Sequence, residues 1–307
     1  MNKSILITGA NVGLGKETAR QLAVGSEAEK IILACRNLKK AENAKRDLEA
    51  STGKSIFEVL IMDTSSIQSV RTAVTKLTEP IDAVILNAGG MGGKTPGKPT
   101  KSGMNELAAS NVLGHVVLID ELLQRKLLKK VALLASTEAV RGIKKMGMLR
   151  PELKTSSADE FASILDGTYF GDKLDAMQAY GHVKYVATLW MSALSRKYPD
   201  IKFLSVSPGA TSGTSAPDEL PFMSKFMFKY IMMPIVMPLQ GMIHSIDKGA
   251  RRFVDSINGS ALESGKFYAS KDGYVVGKMV DQSTIFSDLG NHIYQDNADE
   301  AIHRFIN

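Results

Sequence analysis

The sequence predicts an α/β fold in which helices cover both faces of a doubly wound parallel sheet, giving three layers. Short apolar runs alternate with helical stretches from residue 3 to residue 207, which is the order of right-handed βαβ units. The first run, Ile5 to Ile7, leads into a glycine-rich turn and then into a helical pattern. The 307 residues contain no repeat, low-complexity block or obvious linker, so we expect one domain over residues 1–307.

The glycine-rich turn spans residues 8–15 and precedes a helix that Gly25 is expected to end. A strand, a tight turn and a helix N-terminus bring backbone N–H groups and the helix dipole to one place, which suits a pyrophosphate. Glycine is needed in such a turn because a Cβ would obstruct the approach of the phosphates. An ordinary strand-turn-helix connection is the alternative interpretation.

The second strand pattern begins at Lys30 and ends in a cation, Arg36, with no acidic residue at its end. An acidic side chain at this place would hydrogen-bond the 2′-hydroxyl of an adenosine ribose and favour NAD, whereas an arginine accommodates a 2′-phosphate. The sequence therefore predicts NADP(H) as the cofactor. Alternatively, Arg36 is an ordinary solvated side chain.

Tyr180 and Lys184 lie four residues apart in a helical stretch, so their side chains share one face of the helix. A neighbouring ammonium stabilises the phenolate and lowers the pKa of the phenol. A tyrosine in this position can donate and accept a proton near neutral pH. The pair is therefore a candidate catalytic site, and the glycine-rich turn far upstream gives it weight.

Together these residues resemble the short-chain dehydrogenase/reductase family over nearly the whole chain. Residues 8–15 are similar to its Thr-Gly-x-x-x-Gly-x-Gly turn, and the stretch that ends at Asn37 resembles its NADP-using members. Asp63 matches the acidic residue that usually contacts adenine, and a helix cap is the alternative for this residue. The resemblance implies a Rossmann-type fold and an NADP-dependent enzyme.

Three further motifs carry the resemblance. Asn87-Ala88-Gly89 is similar to the motif that follows the fourth strand of the family and passes beside the cofactor. Asn111 matches the asparagine of its catalytic tetrad, and Pro208-Gly209 resembles the turn whose backbone faces the nicotinamide carboxamide. The cofactor-binding residues that the resemblance implies are Gly9, Asn11, Val12, Gly13, Leu14, Gly15, Arg36, Asn37, Asp63, Thr64, Asn87, Ala88, Gly89, Tyr180, Lys184, Pro208, Gly209 and Thr211.

The family normally has a serine after its fifth strand, where this chain offers two hydroxyls. Counting back from Ala139, the usual Ser-x-Ala pattern falls on Thr137, with Ser136 as the alternative. Either hydroxyl can hydrogen-bond a substrate oxygen, although the methyl group of threonine crowds the pocket. We therefore expect Thr137 to contact the substrate.

The resemblance implies a role for each catalytic residue. Tyr180 gives a proton to the oxygen of a carbonyl that is being reduced, and Thr137 or Ser136 donates a hydrogen bond to the same oxygen. Lys184 lowers the pKa of Tyr180 and holds the nicotinamide ribose, and Asn111 positions Lys184 through a water. The expected reaction interconverts a carbonyl and an alcohol, or reduces an activated double bond, on an apolar small molecule.

Two segments extend the family pattern. Thr137 and Tyr180 are unusually far apart, which indicates an insertion within Lys144 to Lys173. Protochlorophyllide reductases and some retinol-dehydrogenase-like members carry extra sequence at this place, and the layout here is similar to theirs. The segment 215–245 is rich in Met, Phe and Pro and is expected to form an apolar lid over the substrate. A pair of core helices, a subunit contact and a membrane-surface patch are the alternatives.

Composition favours a cytoplasmic enzyme. The net charge is +6, but Lys and Arg are scattered among acidic residues, so we expect no nucleic-acid partner. The single cysteine, Cys35, fits a reducing compartment, and the five histidines lack ligand-like spacing, so no metal is expected. The first strand starts at once, leaving no room for a signal peptide, and prolines and lysines in 215–245 argue against a membrane span. Homo-oligomerisation is compatible with the sequence.

A second function of a different class is a non-catalytic NADP-binding sensor or partner-binding protein on the same fold. Such proteins often lose the tyrosine or the lysine, and this chain keeps both. The sequence names no substrate, because substrate identity does not follow from the fold.

Overall fold

A computed structural model describes residues 2–144, 147–171, 174–211 and 243–306. Within these ranges the strands are β1 (Ser4–Thr8), β2 (Lys30–Cys35), β3 (Phe57–Ile61), β4 (Ile81–Leu86), β5 (Leu128–Ala135), β6 (Lys202–Val206), β7 (Lys266–Ser270) and β8 (Met279–Asp281). They form one sheet in the order β3-β2-β1-β4-β5-β6-β7-β8. All neighbours pair in parallel except β7 and β8, which are antiparallel.

Helices cover both faces of this sheet. The described helices are α1 (Gly13–Gly25), α2 (Leu38–Thr52), α3 (Ile67–Val74), α4 (Glu106–Ala108), α5 (Gly114–Gln124), α6 (Ala158–Asp166), α7 (Ala176–Lys197), α8 (Ile246–Asn258) and α9 (His292–His303). Leu6 of β1 packs in the same apolar cluster as Trp190 of α7, whereas Ile5 and Ile7 pack with Phe253 of α8. Because alternate side chains of a strand point to opposite faces, β1 is buried on both, and the predicted three-layer α/β fold is confirmed.

Local signals in the sequence set the ends of the first helices. Helix α1 begins at Gly13 and ends at Gly25, as the sequence predicts. The side chain of Asn37 caps α2 by accepting a hydrogen bond from the backbone N–H of Lys40 at 2.9 Å. Gly53 ends α2 with a φ of 66°, which a residue with a Cβ adopts only at a cost. Polar caps and glycines therefore fix where the chain leaves the sheet and returns to it.

The strand order creates a crevice at one edge of the sheet. Strand β1 pairs with β2 on one side and with β4 on the other, so the chain runs in opposite directions from β1. In parallel sheets, ligands bind in the crevice at the carboxyl ends of the strands that flank such a point. The turns after β1, β4, β5 and β6 all lie at this edge, and they carry the residues that the sequence singles out.

The described part of the insertion packs against α7. Phe161 of α6 is fully buried and meets the ring of Tyr185 edge-on, with centroids 6.1 Å apart. Helix α9 covers α7 as well, so every residue of α7 from Gly181 to Leu194 is buried within the chain. The lid expected at 215–245 lies outside the described residues up to position 242, and only 243–245 belong to the described chain.

A pH-dependent ion pair fastens α9 to α5. The imidazole Nε2 of His303 lies 3.0 Å from the carboxylate of Asp120, and this hydrogen bond raises the pKa of His303 to about 9. Because the folded pKa lies above the unfolded value of about 6.5, the stabilisation is complete below pH ~6.5 and is lost as the pH rises through about 9.

His303→Gln should therefore lower the free energy of unfolding by about 1 kcal/mol at pH 6 and by much less at pH 10. Urea unfolding at the two pH values measures the difference, with the exposed His292→Gln on the same helix as the control. An equal loss of stability at both pH values would contradict a charged pair.

Candidate active site

The hydroxyl of Thr8 joins the glycine-rich turn to the turn after β4. Its Oγ1 accepts hydrogen bonds from the backbone N–H groups of Asn87 and Ala88, both at 2.9 Å. In return, Nδ2 of Asn87 donates to the carbonyl of Thr8 at 2.9 Å. The two turns that the sequence assigns to the cofactor are thus held as one unit across neighbouring strands.

The glycines of residues 8–15 are required by geometry. Gly9 and Gly13 have φ angles of 67° and 59°, in the left-handed region. A Cβ on Gly15 would lie 2.6 Å from the carbonyl oxygen of Gly9 and 2.6 Å from Nδ2 of Asn87. The turn can therefore be this tight only with glycine at these positions.

The start of α1 fits a pyrophosphate. Val12, the N-cap residue, provides no capping hydrogen bond, and the first turn of α1 has no acidic residue, so the helix dipole is not compensated there. A Cβ built on Gly13 meets no described atom within 4 Å, so space is open beside the first N–H groups. Val12 is exposed, while Asn11 and Leu14 are half-buried beside it. The residues present therefore fit the phosphates of a dinucleotide.

The adenosine end of the candidate site is more open. Arg36 is exposed at the end of β2, so packing does not keep its side chain away from a 2′-phosphate. Asn37 is exposed too, and its side chain is engaged as the cap of α2. The carboxylate of Asp63 accepts hydrogen bonds from the N–H and hydroxyl of Ser65, at 2.9 and 2.7 Å. Ser66, and not Asp63, caps α3, so the helix-cap alternative for Asp63 does not hold.

Lys184 is buried beneath Tyr180. Its Nζ donates a hydrogen bond to the carbonyl of Ala135, the last residue of β5, at 3.0 Å. The same Nζ lies 5.8 Å from the centroid of the Tyr180 ring, so the pair converges as the helical spacing predicts. Burial lowers the pKa of Lys184 to about 8. The half-buried phenol therefore lies beside a group that holds and releases a proton near neutral pH.

Asn111 lies in a π-helical turn, Ala109–Leu113, between α4 and α5. π-Helical turns are rare in proteins, and those that occur are often found at functional sites. Its Nδ2 donates to the carbonyls of Gly90 and Leu107, at 2.7 and 2.9 Å. A Cβ on Gly89 would lie 2.5 Å from Oδ1 of Asn111 and 3.6 Å from Nζ of Lys184. Asn111, Gly89 and Lys184 therefore lie next to one another, as the sequence resemblance implies for Asn111 and Lys184.

His115 is a site residue that the sequence reasoning missed. Its Nδ1 lies 3.2 Å from the carbonyl of Asn111 and its Nε2 lies 3.1 Å from the hydroxyl of Thr8. A carbonyl only accepts, so Nδ1 carries the proton and Nε2 accepts from Thr8. Complete burial lowers the pKa of His115 to about 3, which keeps this tautomer neutral. The spacing of four residues from Asn111 was the signal that could have found it.

The two candidate hydroxyls after β5 lie in different surroundings. Ser136 is buried, and its Oγ is 3.0 Å from the hydroxyl of Thr188 on α7. Thr137 is half-buried, and its Oγ1 accepts from the N–H of Ala139 at 3.2 Å, which leaves its hydroxyl proton available to donate. The geometry therefore favours Thr137 as the hydroxyl that meets a substrate.

The turn after β6 has a fixed backbone. Gly209 has a φ of 76°, and its N–H donates to the hydroxyl of Ser207 at 3.0 Å. Thr211 is buried, and its hydroxyl donates to the carbonyl of Gly209 at 2.9 Å. Nε2 of His244 donates to the carbonyl of Pro208 at 2.7 Å. Thr64, the remaining expected residue, packs its backbone against Gly114, where a Cβ would lie 2.2 Å from the Thr64 carbonyl oxygen.

A glycine-rich turn of this geometry, with a Tyr–Lys pair at the same edge of the sheet, is typical of a nucleotide-binding α/β protein. In its N-terminal part, the chain matches the short-chain dehydrogenase/reductase family that the sequence resembles. Residues 3–146 match the family described as short chain dehydrogenase. The resemblance seen in the sequence is thus confirmed for these residues.

Similarity to curated proteins is partial. Human retinol dehydrogenase 13 is 36% identical over 126 residues, which are 40% of this chain and 37% of that protein. The oxidoreductase calI of Penicillium decumbens is 30% identical over 235 residues, which are 72% of this chain and 61% of that protein. The chain therefore spans less than two thirds of the length of these relatives.

A solved structure agrees with the fold. L-sorbose reductase from Gluconobacter frateurii, in complex with NADPH and L-sorbose, superposes with a TM-score of 0.64 at 16% identity. The match covers 90% of this chain and 97% of the other. Among the described residues, no cluster of three or more His, Cys, Asp or Glu side chains is arranged to hold a metal ion. In the same ranges, no helix has the length and hydropathy that crossing a membrane requires.

The two hydroxyls after β5 can be told apart by substitution. If Thr137 is the hydroxyl that meets the oxygen of a carbonyl substrate, Thr137→Val should lower kcat by roughly 100-fold because that donor is lost, and Thr137→Ser should restore it. Ser136→Ala should cost about 1 kcal/mol of stability through loss of its bond to Thr188, with kcat near that of the wild type. Steady-state kinetics and urea unfolding measure both quantities. A large loss of kcat only in Ser136→Ala would reverse the assignment.

Proposed function

We propose that this protein is an oxidoreductase that uses NADP(H) to interconvert a carbonyl and an alcohol, or to reduce an activated double bond, on an apolar small molecule. The observation that carries the proposal is the buried ammonium of Lys184, 5.8 Å from the centroid of the Tyr180 ring. A cation beside a phenol favours the phenolate and so eases the loss of the phenolic proton. The match of residues 3–146 to the short chain dehydrogenase family supports the same class of reaction.

The chain supplies the proton and orients the substrate. When bound, NADPH would supply the hydride that the substrate carbon receives. As the alcohol forms, Tyr180 donates its phenolic proton to the substrate oxygen, and Thr137 donates a hydrogen bond to the same oxygen. Lys184 is held in place by the carbonyl of Ala135, so its charge stays beside the phenol. In the oxidising direction, Tyr180 as the phenolate accepts the proton of the alcohol, and Thr137 again binds the same oxygen.

Asn111 is proposed to connect Tyr180 to bulk protons through Lys184. Its side chain is fixed by the carbonyls of Gly90 and Leu107, and its Oδ1 lies beside Gly89 on the way to the lysine. A water between Asn111 and Lys184 would return a proton to the phenolate after each turnover. The π-helical turn supports this role, because it displaces the backbone of Asn111 from the regular helix path.

NADP(H) is proposed in preference to NAD(H) because of the end of β2. Arg36 is exposed there, and its guanidinium can bind a 2′-phosphate with two parallel hydrogen bonds. Lys39 and Lys40 follow at the exposed start of α2 and add positive charge. Relatives that are named for retinol, an apolar alcohol, support an apolar substrate. They match 126 residues, which are 40% of this chain.

Tyr180→Phe tests the proposed acid. The variant should bind NADPH as the wild type does and should lose roughly 100-fold to 10,000-fold in kcat, the usual contribution of a general acid. Stopped-flow and steady-state oxidation of NADPH with apolar ketones, aldehydes and quinones measures the loss.

Tyr185→Phe on the same helix is the matched control, because the buried hydroxyl of Tyr185 has no hydrogen-bond partner within the described ranges. It should keep the turnover of the wild type. If Tyr180→Phe turned over substrate as fast as the wild type, Tyr180 would be excluded as the acid. Tight NADPH binding without turnover of any substrate by the wild type would favour the non-catalytic sensor.

Arg36→Asp tests the cofactor preference. It should reduce the ratio of NADPH to NADH affinity by roughly 10-fold to 100-fold, the value of one or two charge-assisted hydrogen bonds to phosphate. Fluorescence titration of both cofactors gives the ratio. Arg46→Asp makes the same charge change at an exposed position of α2 and should leave the ratio unaltered. An unchanged ratio in Arg36→Asp would refute the role of Arg36.

A further inference from the structure

Glu138 is a buried carboxylate next to the proposed substrate-binding hydroxyl. It directly follows Thr137, and only 2% of its surface is exposed. Its Oε2 accepts a hydrogen bond from the hydroxyl of Ser207 at 2.5 Å. Its Oε1 accepts from the N–H and the hydroxyl of Ser270, at 3.1 and 2.8 Å. One side chain therefore ties together the ends of β5, β6 and β7.

A buried cation balances this carboxylate. Arg252 of α8 is 8% exposed, and its guanidinium lies 3.7 Å from Oε1 of Glu138. The same guanidinium donates to the carbonyl of Ser207 at 3.0 Å and to the hydroxyl of Ser270 at 3.1 Å. Because each buried charge has both a counter-charge and hydrogen bonds, removal of one leaves the other uncompensated.

The network continues into the turn after β6. The hydroxyl of Ser207, which donates to Glu138, accepts in turn from the N–H of Gly209 at 3.0 Å. On the other side, a Cβ on Gly209 would lie 3.0 Å from the guanidinium of Arg252. The backbone of the Pro208–Gly209 turn is thus confined between the Glu138–Ser207 bond and Arg252.

We propose that Glu138 is a positioning residue, which sets the distance between the hydroxyl of Thr137 and the Pro208–Gly209 turn. The inference rests on the proposed function, in which this turn meets the nicotinamide end of NADPH. Glu138 is joined to Thr137 by a peptide bond and to the turn by two consecutive hydrogen bonds. The hydroxyl that holds the substrate oxygen and the backbone that holds the hydride donor therefore move together.

The consequence for the reaction follows from its geometry. Hydride transfer requires the donor and acceptor carbons to be held within about 3–3.5 Å, and a displacement of about 1 Å costs roughly 100-fold in rate. Loosening the Glu138–Ser207 bond should displace the nicotinamide end and leave the adenosine end, which depends on β1 and β2, in place. The effect is therefore confined to one half of the cofactor.

The two serines that share Glu138 provide a matched pair. Ser207→Ala breaks the link to the Pro208–Gly209 turn. Ser270→Ala removes a hydroxyl that bonds Glu138 and Arg252, but the N–H of Ser270 still donates to Glu138 and the link to the turn stays intact. Both remove one hydroxyl from the same carboxylate. Glu138→Gln keeps the size of the side chain and removes its charge.

The test compares the affinity of each variant for NADPH with its affinity for adenosine 2′,5′-bisphosphate, which lacks the nicotinamide. Glu138→Gln and Ser207→Ala should weaken NADPH binding by roughly 10-fold, which corresponds to the displaced Pro208–Gly209 turn losing about one hydrogen bond to the nicotinamide end, and should leave binding of the bisphosphate unchanged. Ser270→Ala should leave both affinities near those of the wild type. With deuterated NADPH, the isotope effect on kcat should rise in Glu138→Gln and Ser207→Ala, because hydride transfer becomes slower.

Several outcomes decide the matter. If Ser207→Ala leaves both the affinity ratio and the isotope effect as they are in Ser270→Ala, Glu138 serves only stability and the proposal is wrong. Should Glu138→Gln fail to fold, Ser207→Ala still carries the test, since it removes a single hydroxyl. A wild type that binds the bisphosphate and NADPH equally well and turns over no substrate would overturn the proposed function, and the positioning role with it.

Discussion

The hydroxyl of Thr8 is the contact on which the arrangement of the site depends. It accepts from two backbone N–H groups of the turn after β4 and donates to His115. His115 in turn donates to the carbonyl of Asn111. One buried hydroxyl thus uses its full hydrogen-bonding capacity to join the glycine-rich turn, the turn after β4 and the π-helical turn. Because burial keeps His115 neutral, this connection does not change across the pH range in which Lys184 titrates.

Burial of Lys184 is costly for stability and useful for chemistry. A buried ammonium loses the favourable free energy of its hydration. The hydrogen bond that Lys184 donates to the carbonyl of Ala135 returns only part of that free energy. The same desolvation lowers the pKa of Lys184 to about 8, which suits the role proposed for it beside Tyr180. Packing offsets the cost, since α6 and α9 enclose the helix that carries both residues. Helix α7 is therefore packed on several sides along the part that carries Tyr180 and Lys184.

The two halves of the crevice are built differently. On the side proposed for the adenosine, the expected cofactor residues lie in short turns, and some of their side chains are exposed. The exposed Arg36 suits a phosphate that remains near water. On the nicotinamide side, buried Glu138, Arg252 and their serine partners hold three strand ends together. Buried polar networks of this kind rigidify a site when every member is satisfied. Rigidity is thus concentrated where the reacting atoms would lie.

By itself the sequence determined the α/β class and the alternation of strands and helices up to residue 207, because apolar runs and glycine turns are local patterns. It also determined that Tyr180 and Lys184 share a helix face, since that follows from a spacing of four residues. Only the tertiary structure decided that Ser136 turns toward Thr188 while Thr137 remains half-buried, because two adjacent residues at a strand end point in opposite directions. Only the tertiary structure brought His115 to Thr8 and Glu138 to Ser207. These pairs lie far apart in the chain. The pairing of β5 with β6 brings Glu138 to Ser207, and the packing of α5 on the sheet brings His115 to Thr8.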